Sequence, residues 1–410
     1  MNPRQVMQLS CEAIRGPWMI PKALEQITSD DILALVANKE PERRTLDFKR
    51  DLPGTTDADR RELRADMTSF ANANGGDLVF GVDEANGVAV AVPGLEVSDI
   101  DAAIRQIEQT VQSGVDPRIP GFKSHEVSMP DTGPVIVVRV PRSWRGPHLV
   151  RINDTFRMYG RNSKGKYIFD ATEIRSAFSL ADELPQRVRR WRDDRLAAII
   201  GGASPVPLIP GAKLIVHLVP LESLTSGSQV SVESMKAFGQ HFPPLCDSGG
   251  RSRINIDGLV KSAGWDANAG GAEAYCQVFR SGRVEAVSGT IVQGGSHRGA
   301  IGSQWIVDEV VECVEQYRIG LLGCGVSPPY LILSALSGAQ GAILAVGQRL
   351  GAFDQHPVDR DLVVLPEVLL ETHDSEMRSA LRPIFDGLWN ACGWERCFDY
   401  APGGEWAPKR

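Results

Sequence analysis

The sequence holds no C-x-x-C pair and no cysteine flanked by histidines at zinc spacing. Its seven cysteines (11, 246, 276, 313, 324, 392 and 397) are odd in number and scattered, so reduced, mostly buried thiols are expected, as in a cytoplasmic protein. Met1 to Ser10 lack an apolar core behind a basic start, and no secretory signal is expected there. The one long uncharged stretch, Ile319 to Gln348, is broken by Pro328 and Pro329 and interrupted by Ser327, Ser334, Ser337 and Gln340. A buried helix and strand, or a contact surface between copies, suits it better than a membrane span. No internal repeat stands out.

What is present is a globular composition. Of 410 residues, 42% are hydrophobic and 23% charged, which excludes a disordered or fibrous class and suggests two or three domains. The net charge of −7 argues against a dedicated DNA-coating protein. It is unevenly spread, however: from Arg139 to Lys166 eight basic residues face one acid, Asp154. A local basic face on an acidic chain suits a polyanion bound at one place.

Residues 1–28 read as a helical arm, followed by a short helix capped by Ser29-Asp30-Asp31. A domain over 29–180 then shows a strand at Thr45–Lys49 and a helix from Asp57 to Asn74 with Leu63, Met67, Phe70 and Ala71 on one face. A strand follows from Asp77 to Asp83, a helix from Asp99 to Gln112, a strand at Val135–Val140 and a hairpin over Leu149–Arg157. Residues 181–210 read as a charged helix (Ala181 to Ile200) and a Gly/Pro-rich linker that sets the domain boundary. The remainder, 211–410, is expected to be an α/β domain with a strand at Lys213–Leu221, a hairpin at Tyr275–Val287 turning at Ser281-Gly282, and an apolar helix at Trp305–Tyr317. Its 22 acids against 16 bases from residue 201 on make it a poor nucleic-acid binder, and sensing, regulation or dimerisation is left by elimination. His217 in its first strand reads as a core or edge-strand residue.

Three blocks in the first domain stand together: Glu42 followed by Leu46-Asp47-Phe48-Lys49, Phe70-Ala-Asn-Ala-Asn-Gly-Gly76, and Val79-Phe-Gly-Val-Asp83. In combination, and with Pro141 to His148 and Phe156 to Arg161 behind them, they resemble the AlbA-like domain of Schlafen proteins and their bacterial relatives over about residues 30–180. The resemblance implies an α+β fold and a nucleic-acid-binding role. It further implies, by analogy with Schlafen nucleases, cleavage of RNA such as transfer RNA by three carboxylates, here Glu42, Asp47 and Asp83, in a setting such as antiviral defence. Position 47 holds an aspartate where those nucleases tend to have glutamate. The family also includes regulators described as DNA- or ATP-binding, and Schlafen nucleases join two such lobes in one chain where this sequence has one, so a homodimer is expected.

The chemistry has its own logic. Phosphodiester cleavage needs an activated water and stabilised phosphoryl charge, which Mg²⁺ or Mn²⁺ held by Glu42, Asp47 and Asp83 would supply, with Lys49 as an added cation. Asp47 and Lys49, two apart on a strand, share a face. Glu42 reaches that face only if Pro41-Glu42 sits on a turn; otherwise Glu42 and Asp47 are surface carboxylates paired with Arg43, Arg44 or Lys49.

The basic stretch supplies the candidate nucleic-acid ligands Arg139, Arg142, Arg145, His148, Arg157, Arg161, Lys164 and Lys166, together with Arg151, interleaved with Trp144, Phe156, Tyr159 and Tyr167. Arginines that neutralise phosphates beside aromatics that stack bases are the usual means of binding RNA or single strands. Asn72, Asn74, Gly75 and Gly76 read as a helix C-cap, with exposed amides meeting a phosphate as the alternative. Gly160 to Tyr167 nearly spells a P-loop, but Tyr167 replaces the Mg²⁺-binding Ser or Thr. The sequence therefore leads to an α+β nucleic-acid-binding protein and candidate metal-dependent endoribonuclease, with a non-catalytic DNA/RNA-binding regulator or an ATP-binding signalling module as alternatives, and no membrane partner.

Overall fold

The computed structural model describes residues 20, 22, 24–162, 164–224, 229–245, 250–293, 300–346, 356–371, 375–401 and 403–407. The chain divides into two compact units, Met1–Pro185 and Gln186–Arg410. In chain order the first runs α1 (Ser29–Ala37), β1 (Leu46–Lys49), α2 (Asp57–Ala71), β2 (Gly76–Phe80), β3 (Asp83–Ala85), β4 (Val88–Ala91), α3 (Ile100–Gly114), β5 (Val115–Asp116), β6 (Lys123–Val127), β7 (Val135–Val140), β8 (Leu149–Ile152), β9 (Thr155–Asn162), β10 (Gly165–Ile168) and the start of α4 (Ala171–Ile200). Of the expected arm over 1–28 most lies outside the described residues, and the described part holds only a 3-10 turn at Leu24–Gln26.

Local chemistry sets the helix starts. The cap of α1 is Thr28 rather than Ser29: the Asp31 Oδ2 accepts from the Thr28 amide at 2.9 Å and its hydroxyl at 2.8 Å. Thr56 and Asp59 form the same reciprocal box at α2, which satisfies amides that the first turn leaves without partners.

Strands β1, β2, β7 and β6 form a sheet in that order, parallel between β1 and β2 and antiparallel elsewhere. Its alternation buries both faces. Leu78, Phe80, Ile136 and Val138 meet Leu63, Met67 and Phe70 of α2 and Ile107 and Val111 of α3. Val79, Val135 and Val137 meet Ile32, Leu35, Leu46 and Phe48. A second, antiparallel sheet (β10-β9-β8-β5) packs on α2 through Ala65, Val150 and Tyr159.

One expected strand is cut short. Gly81 takes φ +96, a region that disfavours side chains, and a Cβ there would meet Gly94, Leu95 and Pro134 at 3.3 Å. The chain leaves the sheet after Phe80, and Asp83 opens the separate β3–β4 hairpin. Helix α4 also differs from expectation: it begins at Ala171 and continues through Pro185, and the unit boundary falls inside it, before the Gly/Pro-rich 201–210 segment.

The second unit holds the rest of α4, β11 (Lys213–Pro220), α5 (Val232–Ala237), β12 (Arg251–Ile254), β13 (Gly258–Asp266), β14 (Gly271–Phe279), β15 (Val284–Ser288), β16 (Val292–Gln293), β17 (Ala300–Gly302), α6 (Ser303–Gly323), β18 (Tyr330–Ser337), β19 (Ile343–Ala345), β20 (Leu362–Val364), β21 (Val368–Leu370) and α7 (Met377–Ala391). Its main sheet has the order β12-β13-β14-β15-β11-β18-β20, with β21 also on β18. One face buries Leu214, Val216 and Leu218 with residues of α6 and α7, such as Val310, Val314, Leu381 and Phe385. The other packs Ile215, Tyr275 and Val287 against Leu196 and Ile199 of α4.

That second face carries a polar knot. Glu285, fully buried, accepts from Arg195 Nε and Nη2 at 2.7 Å each, from Tyr275 Oη at 2.8 Å, and lies 3.1 Å from His217 Nε2. Burial works to raise the Glu285 carboxyl, but Arg195 and His217 outweigh it and bring it down to about 2. His217 thus sits on a central strand, directly across from Glu285. The uncharged stretch from Ile319 supplies the end of α6, β18 and β19, with Leu321, Tyr330, Ile332 and Leu336 in this unit's own core; residues 347–348 lie outside the described set. Among the described residues no helix is long and apolar enough to cross a membrane.

Candidate nucleic-acid interface

Glu42 meets the condition set for it. Arg43 and Leu46 exchange backbone hydrogen bonds (2.9 and 3.3 Å), a tight turn that folds Glu42 back onto β1, where its Oε1 accepts from the Phe48 amide at 3.1 Å. Its carboxyl lies in the field of the Asp47 carboxylate. Burial first, then the neighbouring Asp47 charge, pushes Glu42 up to about 7.

Asp47 is held by cations. Its Oδ2 accepts from Arg161 Nη2 and its Oδ1 from Lys49 Nζ at 3.1 Å. Burial would raise this carboxyl, yet Arg161 and Lys49 hold it below the usual range. Asp66, on α2 and nearly fully buried, accepts from Lys166 Nζ at 2.7 Å and lies 3.9 Å from both Lys49 Nζ and Arg161 Nη1. Burial raises Asp66 despite Lys166 and Lys49. Lys166 also reaches Glu62. The motifs do not point to Glu62 or Asp66; the available signal is their i,i+4 spacing, with Asp66 set beside Met67 at a core position.

With Glu42 protonated the cluster is formally neutral: Asp47, Asp66 and Glu62 against Lys49, Arg161 and Lys166. Asp83 does not join it. Having left the sheet at Gly81, it pairs with Arg50 Nη1 at 2.7 Å. Among the described residues no group of three or more His, Cys, Asp or Glu side chains is arranged to hold a metal ion. The Glu42–Asp47–Asp83 set therefore does not fit Mg²⁺ or Mn²⁺ in this arrangement, since both oxygens of Asp47 already serve cations and a divalent ion needs uncommitted carboxylate charge.

Several residues of the basic stretch turn inward. Arg139 donates to Asp77 through Nε (2.8 Å) and Nη2 (2.9 Å), and to the Lys22 and Ile20 carbonyls. Arg161 is 3% exposed and lies over the Phe70 ring, 4.2 Å from its centroid. His148 is fully buried, its Nδ1 2.6 Å from the Pro117 carbonyl, and burial lowers its pKa. Asn72 holds the His148 turn to β9, accepting from the His148 amide at 2.8 Å and donating to the His148 and Tyr159 carbonyls. That is a role beyond its C-cap position. Gly75, at φ +75, closes α2 by donating to the Phe70 carbonyl at 2.9 Å. Buried arginines and a buried histidine offer nothing to a phosphate at the surface. The near P-loop, Gly160 to Tyr167, is the β9–β10 hairpin and opens no helix.

Other members face solvent. Arg145, Arg151, Arg157 and Lys164 are exposed, and Arg142 stacks on Trp144 at 3.9 Å. Among the described residues no carboxylate pairs with Arg151, Arg157 or Lys164. Asn153, at φ 49, makes the tight turn that sets Arg151 opposite Phe156 and Val150 opposite Arg157.

An α+β unit with a mixed sheet, a buried charge cluster and a cationic ribbon is thus defined. Residues 42–170, within the first unit, match the family model described as Schlafen, AlbA_2. Among solved structures the chain is similar to the DIP2311 protein from Corynebacterium diphtheriae, at 17% identity over 34% of this chain and 26% of that one, with a TM-score of 0.24. It is also similar to the N-terminal domain of a putative ATP-dependent DNA helicase RecG-related protein from Nitrosomonas europaea, at 18% identity over 34% and 88%, with a TM-score of 0.26. The chain spans about a quarter of the C. diphtheriae protein's length. No curated protein matches it.

Proposed function

We propose that the first unit binds nucleic acid, RNA foremost, through the exposed cations of the β8–β9–β10 ribbon. The observation that carries this is the set of exposed cations without carboxylate partners among the described residues, Arg151, Arg157 and Lys164, on a chain of net charge −7. Cations left unpaired on an otherwise acidic molecule gain by neutralising phosphates and releasing their counterions. Arg142 and Arg145 lie on the neighbouring loop and extend the same charge. Fluorescence anisotropy with labelled RNA and DNA at several salt concentrations tests it; no binding in about 50 mM salt would overturn the reading, because electrostatic affinity is strongest there.

A second reading, cleavage of structured RNA such as transfer RNA, as in antiviral defence, is favoured by Glu42, folded back onto β1 where Asp47 and Lys49 lie. Transfer RNA incubated with the chain and added Mg²⁺ or Mn²⁺ decides it. Cleavage that is lost in Glu42→Gln supports it, and intact RNA with either ion overturns it. Two-fold pairing of chains would double the ribbon surface. Light scattering during size exclusion reads this directly, a mass near 44.6 kDa overturning the pair.

A further inference from the structure

Four aromatic rings are interleaved with the basic stretch, and their surroundings separate them. Tyr159 is 7% exposed and packs with Ala65 and Val150 on α2. Trp144 has the Arg142 guanidinium over its face. Tyr167 donates to Glu173 at 2.9 Å and its ring meets Phe169 at 5.9 Å. Phe156 is different: it is 52% exposed, and among the described residues no ring or cation lies against its face. An apolar ring held half in water at the tip of a hairpin gains nothing for the fold there, since its burial is forgone.

Its neighbours add charge. The register places Arg151 directly across from Phe156 on one face of the ribbon, and Arg157 follows on the other, opposite Val150. Cross-strand partners on one face have Cβ atoms about 5 Å apart, so the Arg151 side chain springs from the strand beside the ring. The tip therefore joins an open π-face to two exposed cations of opposite aspect. A buried base in a duplex has no free face to offer such a ring, whereas an unpaired base has one, with a phosphate on each side of its nucleoside.

We propose that the tip of the β8–β9 hairpin is a single-nucleotide stacking site, in which Phe156 takes the face of an unpaired base and Arg151 and Arg157 hold the flanking phosphates. The inference rests on the nucleic-acid reading above and narrows its ligand to single strands and loops. It assigns Phe156 a part in discrimination and the arginines a part in affinity.

The test compares the full chain with Phe156→Ala and Phe156→Trp, using a labelled single-stranded oligonucleotide and a duplex of the same sequence at one salt concentration. Phe156→Ala is expected to weaken single-strand binding about ten-fold, with duplex binding changed less than about two-fold and Phe156→Trp restoring the parent affinity. The salt slope should stay that of the parent, because no charge is lost. A 2-aminopurine base in the oligonucleotide should be quenched by the parent and not by Phe156→Ala. Equal losses on single strand and duplex, or an unchanged single-strand affinity, overturn the stacking site while leaving the cationic ribbon in place. A parent that binds neither polymer overturns both. Unchanged thermal unfolding of the variants, expected for an exposed tip residue, separates these results from misfolding.

Discussion

Arg161 on β9 and Asp47 on β1, 114 residues apart in sequence, form a buried ion pair with side chains 2% and 6% exposed. The pair ties the second small sheet to the edge of the first, and Asp66 and Lys49 complete its surroundings. Its consequence is that the strongest basic residue in the near P-loop stretch serves the fold.

Removing one member leaves the other charged and buried. Arg161→Met is expected to destabilise the first unit by about 3 to 5 kcal/mol, read by urea unfolding. Arg161→Met combined with Asp47→Asn should recover a large part of that loss, because no uncompensated charge remains. A single variant as stable as the parent would contradict the pairing.

Glu42 gives a pH signature. Its carboxyl is raised from 4.5 to about 7 in the folded chain, so the folded state holds a proton that the unfolded state releases. The associated stability is complete below about pH 4.5 and lost as pH rises through 7. Half exposure reduces its size, so only the sign and window are predicted. Glu42→Gln should flatten the parent's decline between pH 5 and 8, measured by urea midpoints. A parallel decline in the variant would remove Glu42 as its source.

In the second unit the Glu285 carboxyl is lowered to about 2, which is the opposite case. Stability from it is present above about pH 4.5 and lost as pH falls toward 2, a change of order 3 kcal/mol. Glu285→Ala should strip Arg195, His217 and Tyr275 of their common acceptor. Hydrogen exchange should then quicken in β11, β14 and β15 and in the second half of α4, while the first unit's strands keep the parent's rates. Uniform or absent quickening would show that the knot does not hold the helix to the sheet.

Local elements were legible where period and cap agreed. The helix at Asp57 and the strands at Leu46 and Val135 follow from apolar spacing. Glu42 and Asp47 come together because a two-residue turn after Arg43 reverses the chain, a possibility the sequence posed as a condition. Asp83 lies apart from the cluster because Gly81 ends the strand through a backbone angle that no side-chain pattern reports. The inward turn of Arg161 is not legible because a count of basic residues carries no direction: on β9 it shares a face with Tyr159, toward α2, whereas Phe156 points the other way. The Glu285 knot draws on α4, β11 and β14, and no local motif joins residues that only tertiary folding brings within 3.1 Å.

On this reading the exposed cations of the ribbon, and not the buried ones, meet phosphates. The slope of log affinity against log salt tests it most directly, measured with single-stranded RNA for the parent and for charge reversal at Arg151, Arg157 and Lys164. Each lost phosphate contact should flatten the slope by about 0.7, with unfolding midpoints within about 0.5 kcal/mol of the parent, as expected for exposed sites. A slope unchanged by all three reversals would contradict the account and move the binding face elsewhere.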